Sequence, residues 1–583
     1  MIGLRIFVRA VSITCLALPT LASAECKVGN YGTLPVEVVG QRATTMANVN
    51  GKPARFMLDT GAAFSFMARA NADAMGLKRE AAPFGLRMGG IGGSTDTELT
   101  HIKSLGLLGA TLPNVMFVVG GTDTGMAVIG ANLLDLMDLD SDLANGKLRL
   151  FRPSGCNALS MAYWSKDGQY NVADLHYAAQ NYDHRSLVDV TIHGKTVRAV
   201  LDTGAMTTLI TRRAAERVGL DLSATHGAAN LISSGVGRRS QKGWVVPIDS
   251  YAIGTEQIQH SKIVVLDGDL GDTSDASEML LGIDFFLAHH VFIANSQRKV
   301  YFTYNGGRVF SLAQAPKAAP ATDDAAKPLP AADYALRGQA RLSRGETAGA
   351  LADLDAAVGL APDDATYRLA RARARLSVKK SDEAMEDLGA AIRLDQQNID
   401  ALLLRARIRY ARKDRDAAEQ DVAAARLLAA PGSMQAMELV RFYMGLDRPL
   451  EALPLLDDWI RLHPEDVALP ATLNERAWAR ALANVQMDGA LSDATKAIRA
   501  VKDRGNFYDS LGLVQLRLGR NAEAQASFEK ALALLSRSAW SHYGLGLARL
   551  RNGQTAQGQA EIAAAKAINP EIATRAARFG LVP

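Results

Sequence analysis

Cysteine is scarce in this chain. Three in 583 residues are too few for a disulfide-dense scaffold or a cysteine-rich zinc protein. Net charge is also small: 65 basic against 61 acidic side chains leave +4, so bulk electrostatics give no support to nucleic-acid binding. Aromatic residues make up only 6%, and after the amino terminus no apolar run reaches the ~20 residues that span a bilayer. What is present is ordinary for a globular protein, 48% hydrophobic and 22% charged, which excludes a wholly disordered or fibrous chain. One core rarely grows past ~250–300 residues, so a chain this long must divide into domains. Alanine crowds the C-terminal half, which points to two architectures.

Residues 1–24 read as a signal peptide. Arg5 and Arg9 precede the mostly apolar run Ala10–Leu18, and Ala22-Ser23-Ala24 offers a small-x-small cleavage site. The expected location is periplasmic or secreted, with no membrane span after cleavage; an uncleaved anchor is the alternative. Glu25 stands where lipid attachment to Cys26 would need a small residue, so lipidation is not expected. Cleavage removes Cys15 and leaves Cys26 and Cys156, either one disulfide or two unrelated buried thiols. Closing a loop of this size is worth ~4–5 kcal/mol on the chain-entropy argument.

The chain repeats itself. Val49-Asn50-Gly51-Lys52 and then Phe56-Met57-Leu58-Asp59-Thr60-Gly61-Ala62 match Ile192-His193-Gly194-Lys195 and then Ala199-Val200-Leu201-Asp202-Thr203-Gly204-Ala205. Each turn glycine lies eight residues before its aspartate, which predicts a hairpin whose second strand runs into a tight acidic turn. About thirty residues further on come Gly89-Gly90-Ile91-Gly92-Gly93 and Ser234-Gly235-Val236-Gly237, and later the apolar-apolar-glycine sequences ending at Gly130 and Gly282. Short β-branched runs fill the intervals, so two mostly-β lobes are expected at 25–156 and 184–311. A connector at 157–183, with Tyr163, Trp164, Tyr170 and Tyr177, joins them.

These residues resemble the retropepsin-like aspartic proteases, in particular the bacterial branch with two Asp-Thr-Gly lobes in tandem. The resemblance covers about half the chain. It implies that Asp59 and Asp202 form a carboxylate dyad, one ionised to take a proton from water and one protonated to donate to the scissile carbonyl. Two carboxylates about 3 Å apart share one proton, because both cannot ionise cheaply. Thr60 and Thr203 would link the turns, Gly61 and Gly204 would let the backbone approach, and Gly130 and Gly282 would pack behind. The Gly-rich stretches would be flaps over an extended peptide or protein substrate. The flap tyrosine of pepsin-like relatives is missing. Ala62 and Ala205 replace the hydroxyl residue that in those relatives lowers the dyad's pKa, so a mildly acidic to neutral optimum is expected. The implied activity is that of an exported aspartic endopeptidase. The alternatives are a non-catalytic peptide-binding or envelope assembly protein using the same cleft, and lobes that pair between chains.

Other chemistry is poorly supported. His289-His290 lacks partners at metal spacing and reads as core or surface histidine. Asp267, Asp269, Asp272 and Asp275 read as a solvated loop rather than a calcium site. Neither Gly-rich stretch has phosphate-loop spacing. No cofactor and no metal are implied.

An Ala/Pro-rich linker at 312–332 separates the lobes from 333–583. There the period becomes helical: Gly338, Ala372 and Ala406 are 34 apart, as are Ala350, Ala384 and Ala418, and Ala357, Ala391 and Ala425, with the spacing again at Gly512 and Gly546. Together with Leu354, Pro362, Phe528, Ala531 and Pro570, this looks like about seven tetratricopeptide (TPR) repeats, with 430–505 divergent. Such arrays offer a groove to a protein partner. Arg373 and Arg407 occupy equivalent first-helix positions, either facing an acidic ligand or paired with nearby acids. The fold class expected is therefore multidomain, an all-β bilobal pepsin/retropepsin-like domain followed by an all-α solenoid.

Overall fold

The computed structural model describes residues 26–306 and 328–583, apart from 158, 166, 178–182, 227–228, 230 and 272–276. The stretch 1–24 read as a signal peptide, most of the linker, and Asp272 and Asp275 lie outside the described residues.

Each lobe is built around the predicted hairpin. In the first, Ala43–Val49 pairs with Lys52–Leu58 across Asn50-Gly51, both at positive φ (52° and 89°), as a two-residue turn between right-twisted strands requires. In the second, Ser186–Ile192 pairs with Lys195–Leu201 across His193-Gly194, at 49° and 74°. The second strand of each hairpin then gains a parallel neighbour from far along the chain. Phe56–Leu58 aligns with Ala127–Ile129, and Ala199–Leu201 with Met279–Leu281. Phe56, Leu58, Ala199 and Leu201 are all buried, so the residues leading to each aspartate are fixed in a core.

The two lobes share a sheet. Lys27–Pro35, Lys147–Ser154, Asp138–Asp142, His289–Ala294, Lys299–Tyr304 and Asn171–Tyr177 lie side by side, and the lobes meet where Leu139 faces Ile293. The connector is therefore more than a joiner. Its strand Asn171–Tyr177 pairs with Lys299–Tyr304 on one side and Ser186–Ile192 on the other. Ala173 and Leu175 are its buried face; the polar residues around them masked so short an alternation. Trp164 stacks on His290 at 3.8 Å, and Cys26 is disulfide-bonded to Cys156, with Cα atoms 4.6 Å apart, tying the edge strand to the sheet.

From Ala331 the chain forms seven helix pairs and a closing helix Ile572–Arg578. Ala350, Ala357, Ala384, Ala391, Ala418 and Ala425 are fully buried, the small residues that let paired helices approach closely. The divergent region is itself two regular pairs, Met434–Gly445/Pro449–Leu462 and Leu469–Ala483/Met487–Ala500. What breaks the pattern is spacing. Second helices begin at Thr347, Ser381, Arg415 and Pro449, then at Met487, four residues late, then at Asn521 and Thr555 in step again.

The first helix, Ala331–Ser343, is packed against the β domain. Ala340 is buried in the lobes' own core, Lys147 pairs with Asp333 at 2.7 Å, and Ser343 Oγ donates to Val38 O at 3.0 Å.

Candidate active site

Asp59 and Asp202 follow the central strands directly, and their backbone N–H groups donate to Ile129 O (3.0 Å) and Leu281 O (2.9 Å). Each carboxylate accepts from the next turn of backbone. Gly61 N and Ala62 N reach Asp59 Oδ1 at 2.9 and 2.8 Å; Gly204 N and Ala205 N reach Asp202 Oδ1 at 2.8 and 2.9 Å. The two turns face each other so closely that a methyl group on Gly61 would collide with the Asp202 carboxylate, and one on Gly204 with that of Asp59. Glycine is required here for space, not for backbone angle.

Thr60 and Thr203 lock this geometry. Thr60 Oγ1 donates to Leu201 O at 2.7 Å and Thr203 Oγ1 to Leu58 O at 2.9 Å. Each hydroxyl also accepts the other threonine's N–H at 3.1 Å. Gly130 and Gly282 lie behind the turns, where a side chain would strike the backbone of Phe64 or Thr207; the residues after them, Ala131 and Ile283, donate to Ala62 O and Ala205 O.

A second brace was not assigned from sequence. Asn132 Oδ1 accepts from Ser65 N and Oγ at 2.7 and 2.8 Å, and Ser65 Oγ accepts from Gly130 N at 3.0 Å. In the other lobe Asp284 and Thr208 repeat the pattern, with Thr208 N at 2.9 Å, Thr208 Oγ1 at 2.8 Å, and Gly282 N to Thr208 Oγ1 at 3.0 Å. The available signal was a polar residue at the same repeat position in two otherwise apolar runs. Burial pushes the Asp284 carboxyl up to about 6.

Burial also raises both central aspartates. Asp59 is held well above the usual carboxylate range, first by burial and then by the charge of Asp202. Asp202 is raised by burial, with opposition from the Ala205 N–H and from a hydrogen bond with Asp59. Both carboxyls are thus pushed up, so the pair holds one proton between them and titrates as a unit.

The two Gly-rich stretches meet each other. Arg87–Gly90 and Gly93–Asp96 form a hairpin tipped by Ile91 and Gly92, while Leu231–Ser233 leads into Ser234–Gly237. Gly237 N donates to Ile91 O at 3.1 Å and Arg239 N to Gly92 O at 3.2 Å. Gly235 lies against Ile91 and Gly90 against Val236. Ile91 packs on the apolar cluster of the second lobe with Ala205 and Leu231, and Val236 on that of the first with Ala62 and Phe64. Each lobe's Gly-rich tip, the expected flap, is thus seated in the other lobe.

The remaining candidates have structural partners. His290 Nε2 lies 2.5 Å from Asp140 Oδ1, and His289 Nδ1 lies 2.8 Å from Phe285 O, both side chains buried. Arg373 pairs with Asp400 at 3.0 Å and Arg407 with Glu438. Each thus engages an acid of the following helix pair.

A bilobal aspartic-protease fold followed by a TPR solenoid is the class these elements define. Residues 188–285 match the family described as aspartyl protease, residues 45–135 the aspartyl protease of gag polyproteins, and residues 506–534 the tetratricopeptide repeat. Among solved structures, a TPR protein from Parabacteroides merdae is 15% identical, over 43% of this chain and 98% of that one, with a TM-score of 0.32. The pilus biogenesis factor PilW is 17% identical over 37% and 97%, with a TM-score of 0.30. For the Cut9–Hcn1 hetero-tetramer the identity is 20% and the TM-score 0.31, and the match takes in 42% of this chain and 48% of that one. No curated protein matches the chain.

Proposed function

We propose that this protein is an exported aspartic endopeptidase, periplasmic or secreted, whose helical half engages a protein partner. The observation that carries the reading is the pair Asp59 and Asp202 on two equivalent turns of one chain, each carboxylate set against the glycine of the other's turn. The ionised carboxylate of the pair takes a proton from a water as its oxygen attacks the peptide carbonyl, while the protonated one gives its proton to the carbonyl oxygen. The tetrahedral adduct then collapses, the C–N bond breaks, and the amine nitrogen leaves with a proton returned from the dyad. Ala62 and Ala205 add no hydroxyl donor to the backbone N–H groups on the carboxylates, which keeps the shared proton in place nearer neutrality. The TPR array holds a partner or substrate close to the cleft and so raises its local concentration.

The test is peptide cleavage by the chain and by its Asp59→Asn and Asp202→Asn variants. Loss of cleavage in both variants is expected; equal cleavage by all three would exclude the dyad. A statine-type analogue that binds tightly without any peptide being cut would make the cleft a receptor.

A further inference from the structure

The four-residue excess in the solenoid falls next to a loop that differs from the other connections between helix pairs. Leu462 ends one helix and Leu469 begins the next, and the six residues His463–Ala468 between them reach the β lobes at Asp96, Thr122, Asp123 and Arg238. Glu465 touches both flaps at once. One carboxylate oxygen accepts from Asp96 N at 3.1 Å on the first, and the other is ion-paired with Arg238 on the second, which itself reaches Asp96 Oδ2 at 3.1 Å.

Beside Glu465 the contact is buried. Asp466 Oδ2 accepts from Asp123 N at 2.8 Å, and His463 Nε2 faces Asp123 Oδ2 at 3.1 Å with both side chains sealed from solvent. His463 stacks on Trp459 at 4.5 Å, so it is held from the solenoid side too. Val467 N donates to Thr122 Oγ1 at 3.3 Å, and Thr122 in turn donates through N and Oγ1 to Val236 O and Gly237 O. A continuous set of hydrogen bonds therefore runs from a turn between TPR helix pairs to the Gly-rich tip at Val236 and Gly237.

We propose that His463–Ala468 is a latch by which the solenoid holds both flaps closed. Each flap tip is seated in the opposite lobe's apolar cluster, where a bound chain would have to lie, so the latched state is closed to substrate. Displacement of the fourth helix pair relative to the fifth shifts this loop and frees the tips. The consequence for catalysis rests on the peptidase reading above; the opening itself does not.

Hydrogen exchange on the full chain tests it, comparing wild type with Glu465→Ala and, from the flap side, Arg238→Ala. The informative amides are Gly237 and Arg239, which bond flap to flap and not to the loop. Loss of one charge-assisted contact predicts exchange about tenfold faster at both. Unchanged exchange at Gly237 and Arg239, with only Asp96 faster, overturns the latch whatever the activity. Faster exchange in variants that cut no peptide supports the latch and counts against the peptidase.

Discussion

Thr60 and Thr203 each donate a hydroxyl proton into the other's lobe, to Leu201 O and Leu58 O, while accepting each other's N–H. Removing one hydroxyl strands a buried carbonyl and a buried N–H together. Thr203→Ala should lose about 2–4 kcal/mol in urea unfolding, and Thr203→Ser, which keeps the hydroxyl, much less. Equal losses from both variants would mean that the methyl packing, not the hydroxyl exchange, joins the lobes.

The dyad shares a proton in the folded state: burial raises both carboxyls, and the charge of Asp202 raises Asp59 further. A raised acid pKa contributes stability that is present below the unfolded value of about 3.9 and is lost as pH rises through the folded pKa. Asp59→Asn escapes that loss. Its thermal midpoint should therefore move above wild type at neutral pH, with the gap closing as pH falls toward about 4. A gap that does not vary with pH would place the proton elsewhere.

Ala62 and Ala205 offer the two carboxylates a backbone N–H but no hydroxyl. Cleavage should peak at mildly acidic to neutral pH. Ala205→Ser, which offers a hydroxyl donor to the ionised form, should move the acidic limb lower. A wild-type pH–rate maximum below about 3 would contradict this account of the dyad.

In the solenoid, Asp387 is buried between Arg371 (2.7 Å) and Arg375 (2.8 Å), an arrangement repeated at Asp353, Asp421 and Asp493. Asp387→Ala leaves two guanidinium groups without their acid and should cost about 3–5 kcal/mol. Arg373→Ala breaks a half-exposed pair with Asp400 and should cost less than about 1 kcal/mol. Chemical denaturation of the two variants separates a structural lattice from a surface pair.

The parts legible from sequence are those whose chemistry demands a local pattern. Asp-Thr-Gly must be compact to bring Asp59 and Asp202 together, and helices that cross closely need alanine every 34 residues, so both left recognisable traces. The shared sheet left none. Strands such as Asp138–Asp142 and His289–Ala294 find each other across 150 residues of chain, and no spacing rule encodes that meeting. The Arg–Asp lattice was present in sequence as a second 34-residue period through Arg371, Arg405, Asp387 and Asp421, overshadowed by the alanines. The flap-binding loop registered only as irregularity, because its partners lie in another domain.

The packing of Ala340 into the lobes' core bears on how this chain can be divided. Seen by role, the boundary between barrel and solenoid lies in the Ala/Pro-rich stretch. By burial it lies one helix later, since Ala331–Ser343 is a wall of the barrel as much as the first step of the array. A fragment ending at the stretch would carry an uncovered apolar niche, and one beginning there would carry an apolar helix face without its cover. The two halves are thus separable in name but heritable only together, and recombination at the stretch would have to bring a matching surface with it.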